Sequence, residues 1–464
     1  MNKTTLTEKD IELLKKYNTA GPRYTSYPTA PEWRDDFTDE DYSATLEKLG
    51  GKAEVDPLSL YLHVPFCQER CLYCGCHVII DKNRRYVKKY VEYMGKELEL
   101  FAKRIGRKHP VSQLHWGGGT PTFLNESEIE ELYGMISRHF TIEPDAEIAI
   151  EVDPCVTSKE QLKVLRDLGF NRISMGVQDF NPSVQEAVHR VQDAKLTVDL
   201  MDYARSIGFS SVNLDFIYGL PRQTVESFSE TVKKIIELSP DRIALFSYAR
   251  VPWLKPHQKK IMDSELPDVD EKFAIFLEAR KLLIEQGGYV AIGMDHFAKP
   301  DDEIAMALSN KTLYRNFMGY TVLPTDHFIG FGVSSIGYVV DSYIQNVKTL
   351  KEYYGALDAG KLPVDRGMTV SQDDIVRKWV IYSLMCHFEL DYSKFQTRFG
   401  QSFQDYFPVE LPELDGFQKD GLISFEDNRI AVMEKGTLFI RNIAMKFDSY
   451  LRNKQQERRF SQTI

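Results

Sequence analysis

Short apolar runs rich in β-forming residues alternate with longer amphipathic stretches from about residue 58 to about residue 295. The runs are LSLYLHV, SQLHWG, EIAIEV, RISMGV, SVNLDFI, RIALFSY and YVAIGMD. Between them stand helix-like segments such as NRRYVKKYVEYMGKELELFAKRI, SEIEELYGMISRHF and SKEQLKVLRDLG. This alternation predicts βα units around a parallel sheet. Six or seven units in a row predict a barrel or partial barrel rather than a two-sided open sheet. The distinctive sequence follows the strands: CQERCLYCGC after the first, GGGTPT after the second, then EVDP, QDF and YGLP. In parallel barrels the loops after strands build one functional face. These motifs are therefore expected to converge on one site.

The flanks break the pattern. Residues 1–51 read as an N-terminal helix and an irregular arm, NTAGPRYTSYPTAPEW, whose tyrosines are expected to pack on the barrel. The core is assigned to residues 52–300, and a barrel extension and connection to residues 301–365. Residues 366–464 read as a smaller, mostly helical domain in which DGLISFEDNRIAVMEKG forms a β-ribbon, resembling a winged helix. The fold class is α/β, a partial (β/α) barrel with an N-terminal arm and this winged-helix-like C-terminal domain.

Composition and charge narrow the partners. Hydrophobic residues make up 43% and charged residues 27% of the 464, ordinary for a soluble globular protein. The N-terminus, MNKTTLTEKDIELLKKYN, has no apolar core for a signal peptide, and no apolar run reaches membrane-spanning length. A cytoplasmic protein with no membrane partner is expected. Nothing points to a large obligate interface, so a monomer is expected. The net charge of −10 argues against a nucleic-acid partner. The ribbon-bearing segment from Arg366 onward is neutral, with 14 basic and 14 acidic residues (14 − 14 = 0). Packing or a lid role suits it better than DNA binding. An anionic substrate would have to be met by local arginines.

Cys67, Cys71, Cys74 and Cys76 fall within ten positions, whereas Cys155 and Cys386 are lone and look like small buried residues. A reducing compartment removes the disulfide option. Structural zinc usually takes two separated pairs, and a ferredoxin loop supplies four ligands per cluster. CxxxCxxC supplies three, and Cys76, at a Gly-Cys turn, is badly placed to be a fourth. The spacing favours a cluster with one iron open to substrate or cofactor over structural zinc.

CxxxCxxC after the first strand of a βα barrel resembles the signature of the radical S-adenosylmethionine (SAM) superfamily. The resemblance implies one 4Fe-4S cluster whose open iron binds the methionine end of SAM and whose electron cleaves the sulfonium to a 5′-deoxyadenosyl radical. GPRYTSYPTA, YLHVPFC, the CGC ending, HWGGGTPT, IEVDP, RISMGVQDFN, DFIYGLP, GMDHFAKPDDE, FGVSSIG and RNIAMKFDSYL narrow it further. Their order is similar to that in oxygen-independent coproporphyrinogen III oxidases (the dehydrogenases). That family implies anaerobic oxidative decarboxylation of two propionates of coproporphyrinogen III to vinyls, giving protoporphyrinogen IX in haem biosynthesis. It also implies two bound SAM molecules and an electron donor such as flavodoxin or ferredoxin. The alternatives are a radical SAM haem-delivery chaperone, whose members tend to lack the GPRYTSYP arm and CGC ending, and another tetrapyrrole-modifying enzyme of the superfamily.

Residue by residue, the resemblance places Cys67, Cys71 and Cys74 on iron. Gly118, Gly119 and Thr120 follow a strand where glycine lets backbone approach a ligand, the methionine end of SAM. Glu151 ends the third strand and holds SAM; Gln178 and Asp215 end later strands and reach ribose hydroxyls. Arg190 pairs with a SAM carboxylate through a fork that lysine cannot reproduce. Tyr61 faces the site if Leu60 and Leu62 face the helices, and the family sets it against SAM, in catalysis with Glu151. Tyr73 packs on an adenosine, and Ala249 and Ile336 are apolar lining. Arg23, in the arm, is expected to grip a substrate carboxylate as the arm closes over the barrel mouth. Two positions depart from the family: Met318 stands where Gln is usual, and Arg250 where His is expected.

Overall fold

The structure, a computed structural model, describes residues 7–325, 327–452 and 460–463. Its centre is a 12-stranded sheet. Strands β1 (Leu58–Val64), β2 (Pro110–Gly118), β3 (Thr141–Val152), β4 (Arg172–Gln178), β5 (Ser211–Tyr218) and β6 (Arg242–Ser247) lie side by side, all parallel. The YVAIGMD run does not add a seventh parallel unit. Gly293 takes a left-handed backbone (φ 59°) and folds the run into an antiparallel hairpin of β7 (Val290–Ile292) and β8 (His296–Ala298). β8 then pairs antiparallel with β6.

The seventh parallel strand comes from further along the chain. β9 (Phe328–Phe331) lies against the free edge of β1, and β10 (Ile336–Val339), β11 (Ser342–Asn346) and β12 (Val364–Thr369) extend that flank antiparallel. The sheet runs β12-β11-β10-β9-β1-β2-β3-β4-β5-β6-β8-β7, an open, partial barrel.

Side-chain alternation makes the lumen polar. In β4, Ile173, Met175 and Val177 are buried among the helices, while Ser174, Gly176 and Gln178 face inward. In β5, Leu214 and Phe216 face out, and Asn213 and Asp215 face in. A strand places successive side chains on opposite faces. Parallel barrels commonly fill their interior with branched apolar side chains. Here Gln113, His115, Glu147, Glu151 and Arg172 occupy it, so the lumen is a cavity for something polar. Several outer helices begin on capping boxes immediately after site loops, Asn125 with Glu128 and Ser158 with Gln161 among them. Reciprocal capping fixes where each helix starts and so holds the preceding loop.

The arm is irregular as expected, but its tyrosines pack elsewhere. Tyr24 and Tyr27 are buried against the C-terminal domain, their hydroxyls bonded to Asp448 and Ser449, each at 3.0 Å. Buried Arg441 donates to the carbonyls of Gly21, Pro22, Gln462 and Thr463. An arm pinned at so many points is a fixed wall, not a flap. The C-terminal domain is mostly helical, and its three-stranded sheet joins β13 (Glu389–Asp391), β14 (Ile423–Glu426) and β15 (Arg429–Val432). No helix among the described residues is long and apolar enough to cross a membrane.

Candidate active site

A cavity of about 790 Å³ opens at the C-terminal ends of the parallel strands, within the range of pockets that enclose organic ligands. Cys67, Cys71, Cys74 and Cys76 all line it as free thiols. The cysteine loop is held from several directions. Phe66–Cys67 pairs with Ile79–Ile80, and Leu72 donates to the Val188 carbonyl at 3.0 Å. From the segment after β6, His257 donates to the carbonyl of Cys74 (2.8 Å), Gln258 to that of Tyr73 (3.0 Å) and Lys255 to that of Cys76 (3.0 Å). The loop geometry is thus set before any ligand enters.

The thiols are not equivalent. Burial pushes Cys67 up to about 11. Cys74 is lowered to about 6, chiefly by the hydrogen bond from Cys76, whose own thiol is correspondingly held protonated. Among the described residues no three His, Cys, Asp or Glu side chains are drawn together as around a single metal ion. The fit to a multi-iron cluster rests on three soft thiol donors at CxxxCxxC spacing on one cavity wall. On that chemistry the donor set fits.

Beside the loop, β2 ends in Gly117 and Gly118, and Gly119 follows directly. Gly118 has φ 120°, and a Cβ there would lie 2.7 Å from the His63 ring; one on Gly119 would lie 2.7 Å from the Pro65 carbonyl. The missing side chains are thus required by the approach of β1 and its loop. The backbone donors here are also engaged internally: Gly118 to Glu151 (3.1 Å), Gly119 to Val64 (2.8 Å) and Thr120 to Phe66 (2.9 Å). Glu151 additionally accepts from His115 at 3.1 Å. Burial works against its charge, but His115, the Gly118 N–H and His63 outweigh it and hold the carboxyl below its usual range. Glu151 is an anion facing the cavity.

Arg190 donates to Asp153 (2.9 Å) and the Gly176 carbonyl (2.7 Å), and stands 3.7 Å from Cys71. Its Nε is buried with no partner, as is Oδ1 of Asn213. Unpaired buried polar atoms are costly unless a ligand or water meets them. β4 ends with Gln178 in a left-handed backbone (φ 71°), a conformation uncommon outside glycine. Asp215 accepts from Ser174 (3.0 Å) and Asn213 (2.7 Å), yet burial and the Glu151 charge push it up to about 6.

On the arm side, Arg23 reaches the cavity with its side chain 30% exposed, 3.4 Å from Asp295 and 3.2 Å from the Ser247 carbonyl. Asp295 also pairs with His296 at 2.7 Å. Burial opposes its charge, but His296, Arg315 and Arg23 hold Asp295 ionised far below its ordinary value.

Of the residues singled out in the sequence, the cavity gathers Arg23, Cys67, Cys71, Tyr73, Cys74, Gly118, Gly119, Thr120, Glu151, Gln178, Arg190, Asp215 and Ala249. Tyr61 stands one layer back, stacked on His115 (5.8 Å between centroids) and bonded to His63 (3.2 Å). Ile336 lies on β10 with the Trp33–Tyr343 cluster. Met318 lines the cavity from the Tyr314–Asn316/Gly319–Thr321 hairpin, whereas Arg250 pairs outward with Asp263 at 2.5 Å. Cys386 is buried, but Cys155 is exposed and lines the cavity lip, because it follows β3 in the Asp-Pro turn. Sequence reasoning missed His115, Asp153 and His296. All three sit inside quoted motifs, HWGGGTPT, EVDP and GMDHFAKPDDE, where their positions on or just after strands would have flagged them.

A polar-lumened β/α sheet with three thiols on the loop after its first strand defines the radical SAM class. The Radical SAM superfamily profile matches residues 61–235, and the HemN C-terminal domain profile matches residues 370–439. Oxygen-independent coproporphyrinogen III oxidases from Synechocystis and Salmonella typhimurium are each 46% identical, covering 98% of this chain and 98% of theirs. The solved structure of coproporphyrinogen III oxidase from Escherichia coli, described as a radical SAM enzyme, matches with TM-score 0.88 at 43% identity, covering 95% of this chain and 98% of that one. The chain belongs to the oxygen-independent coproporphyrinogen III oxidase family. It is a radical SAM oxidoreductase, and that fold implies a 4Fe-4S cluster and SAM.

Proposed function

We propose that this chain removes the carboxyl groups of two propionates of coproporphyrinogen III without oxygen, giving the vinyl groups of protoporphyrinogen IX. Each propionate loses one β-hydrogen atom, carbon dioxide and one further electron. The cluster with SAM supplies, when bound, a carbon radical that can take that hydrogen atom. Cys67, Cys71 and Cys74 hold three irons. Glu151, ionised and aimed into the cavity, binds cationic groups of SAM, while Arg190 meets a carboxylate through its free Nε edge. Asp215 and Gln178 take ribose hydroxyls, Tyr73 and Ala249 flank the adenosines, and Gly118, Gly119 and Thr120 shape the wall. Tyr61 and Ile336 back that wall from the β1 and β10 side. Arg23 meets a substrate carboxylate in a chain whose net charge is −10.

The observation that carries this reading is the gathering of three thiols, an ionised glutamate and an incompletely bonded arginine on one polar cavity in a chain of this family. Two SAM molecules, one for each hydrogen abstraction, complete the reading, with a monomer in the cytoplasm drawing electrons from a donor such as flavodoxin or ferredoxin. The test is anaerobic incubation with SAM, a reductant and coproporphyrinogen III, followed by product identification. Protoporphyrinogen IX should appear with 5′-deoxyadenosine and carbon dioxide close to one to one. A ratio far below one would mean that SAM is regenerated, against this reading.

A further inference from the structure

The inward face of the sheet does not stop at the thiol-bearing cavity. Gln113, which lines that cavity, pairs in register with Ser59, and the row runs on through Phe328, Tyr338, Tyr343 and Met368. Partners across a sheet share a face. The next inward row carries Ile336, Gln345 and Arg366. It sits level with Tyr61 and His115, because Gly330 pairs with Tyr61 and abuts Ile336. The strand wall turns Glu147, Glu151 and Asp215 inward. On the β9–β12 flank the inward positions hold no carboxylate; they are mostly aromatic and apolar, and the second row ends in a cation.

Three segments close around this flank. Trp33, from the arm, stacks on Tyr343 (5.2 Å between centroids, 11°), and Arg34 exchanges backbone bonds of 2.9 and 3.0 Å with Gly367 of β12. Phe317, next to the cavity-lining Met318, meets Trp33 edge-on at 5.9 Å and stacks on Phe328 at 6.2 Å. From the helix Gln372–His387, Lys378 sets its ammonium 3.9 Å from the Tyr338 ring centre and 5.2 Å from that of Tyr343. Arg366 donates to Gln345 at 2.8 Å. Arg366 and Lys378 are both half-buried, and neither forms an ion pair among the described residues. Asp365 turns to Lys348 and Asp374 to Ser371 and Tyr450, so the carboxylates beside them in the chain are taken. A half-buried cation lacking a counter-ion has lost hydration that a bound anion would offset. We propose that this flank is a shelf for the substrate: its rings lie against the pyrrole face of the porphyrinogen, and Arg366 and Lys378 hold propionate carboxylates. The inference rests on the substrate reading above. The arm runs from one end of the sheet, where Arg23 meets Asp295, to the other, where Arg34 joins β12. A ring with carboxylates around its edge is thereby held from both sides of the gap in the barrel.

The test titrates cluster-loaded protein with coproporphyrin III, the stable oxidised ring, and with its fully esterified methyl ester, which offers no carboxylate. Arg366→Gln and Lys378→Gln should each weaken binding of the acid roughly ten-fold or more, and should leave binding of the ester as in wild type. KM for coproporphyrinogen III should rise in step, with kcat little changed. Phe317→Ala, which removes a ring and no charge, should weaken acid and ester together. Iron content and urea midpoints of the two cation variants should match wild type; if Arg366→Gln alone is destabilised, Lys378→Gln decides. Equal binding of the acid by wild type and cation variants, or equal weakening of acid and ester in those variants, would overturn the proposal. So would a wild type that binds no coproporphyrin III. A wild type that binds the porphyrin through these cations but yields no protoporphyrinogen IX would overturn the proposed reaction and leave the shelf standing.

Discussion

Asp215 and Asp295 serve one cavity from different walls and answer burial in opposite ways. Asp215, on the strand wall, is raised to about 6 by burial and by the Glu151 charge, which the Ser174 and Asn213 donors and the more weakly acting His296 do not offset. Asp295, behind the arm wall, is held far below its usual value because His296, Arg315 and Arg23 surround it. The strand wall also leaves Arg190 Nε and Asn213 Oδ1 without partners. On the arm wall, Arg441 and the arm tyrosines find theirs within the protein. Arg315, behind Asp295, also keeps Nε and Nη1 without partners, but it does not line the cavity as Arg190 and Asn213 do, so the strand wall suits a ligand and the arm wall a scaffold. Function is read from what a site leaves unpaired as much as from which residues it contains.

The largest test removes the strand-wall ligands. Cys67→Ser, Cys71→Ser and Cys74→Ser should each lose the cluster and all turnover while the fold persists, since the loop is held by backbone bonds. Cys76→Ser should keep iron and sulfide near wild type. Iron and sulfide analysis after anaerobic reconstitution decides this; a cluster retained without Cys74 and lost without Cys76 would reverse the ligand assignment.

On the arm wall the loss falls on stability. Asp295→Asn strands Arg23, Arg315 and His296 around a neutral amide, and breaking a buried charge pair costs about 3–5 kcal/mol. A lowered urea midpoint with unaltered iron content is the expected result. An unchanged midpoint would mean that the arm wall is not the scaffold its bonding indicates.

The two walls also differ in how legible they were. The strand wall follows from alternation: LSLYLHV, RISMGV and SVNLDFI show their period, and each motif trails a strand end. The arm wall depends on contacts between distant segments. Nothing local in YVAIGMD tells that Gly293 will turn it back and set Asp295 against Arg23. Nor does HFIGF show that it will flank β1, more than 260 positions earlier, as its pairing Ser59 with Phe328 requires. Cys155 reads as a small buried residue in EVDPCVT, but the cavity opens beside it. Partners set by tertiary closure leave no periodic trace.

A pH series sharpens the contrast. Asp215 has a folded pKa of about 6, above its unfolded value near 3.9. The folded state therefore holds its proton more tightly, and the associated stability is fully present below about pH 4 and lost as pH rises through 6. The loss amounts to about 3 kcal/mol. Asp295 has a depressed folded value, so its contribution is present above about pH 4 and lost as pH falls below it. Urea midpoints of cluster-free protein should thus carry an Asp215 component that declines from pH 4.5 to 7, and Asp215→Asn should remove it. A slope identical in the variant would show that the strand wall holds no uncompensated charge.

The smallest effect falls where the walls meet. Arg23 belongs to the arm wall through Asp295 but also lines the cavity, with contacts of 3.4 and 3.2 Å that leave part of its fork free. Coproporphyrinogen is proposed to bring carboxylates to a chain of net charge −10. A guanidinium can grip one with two parallel hydrogen bonds. Arg23→Lys keeps the charge beside Asp295, so the fold, iron content and substrate-free cleavage of SAM should not change. It loses the second arm of the fork, and a hydrogen bond to a charged group contributes about 1.5–3 kcal/mol. kcat/KM for the porphyrinogen should therefore fall roughly ten- to hundred-fold. Unchanged kinetics in a stable Arg23→Lys protein would confine Arg23 to the scaffold and leave substrate recognition to the strand wall alone.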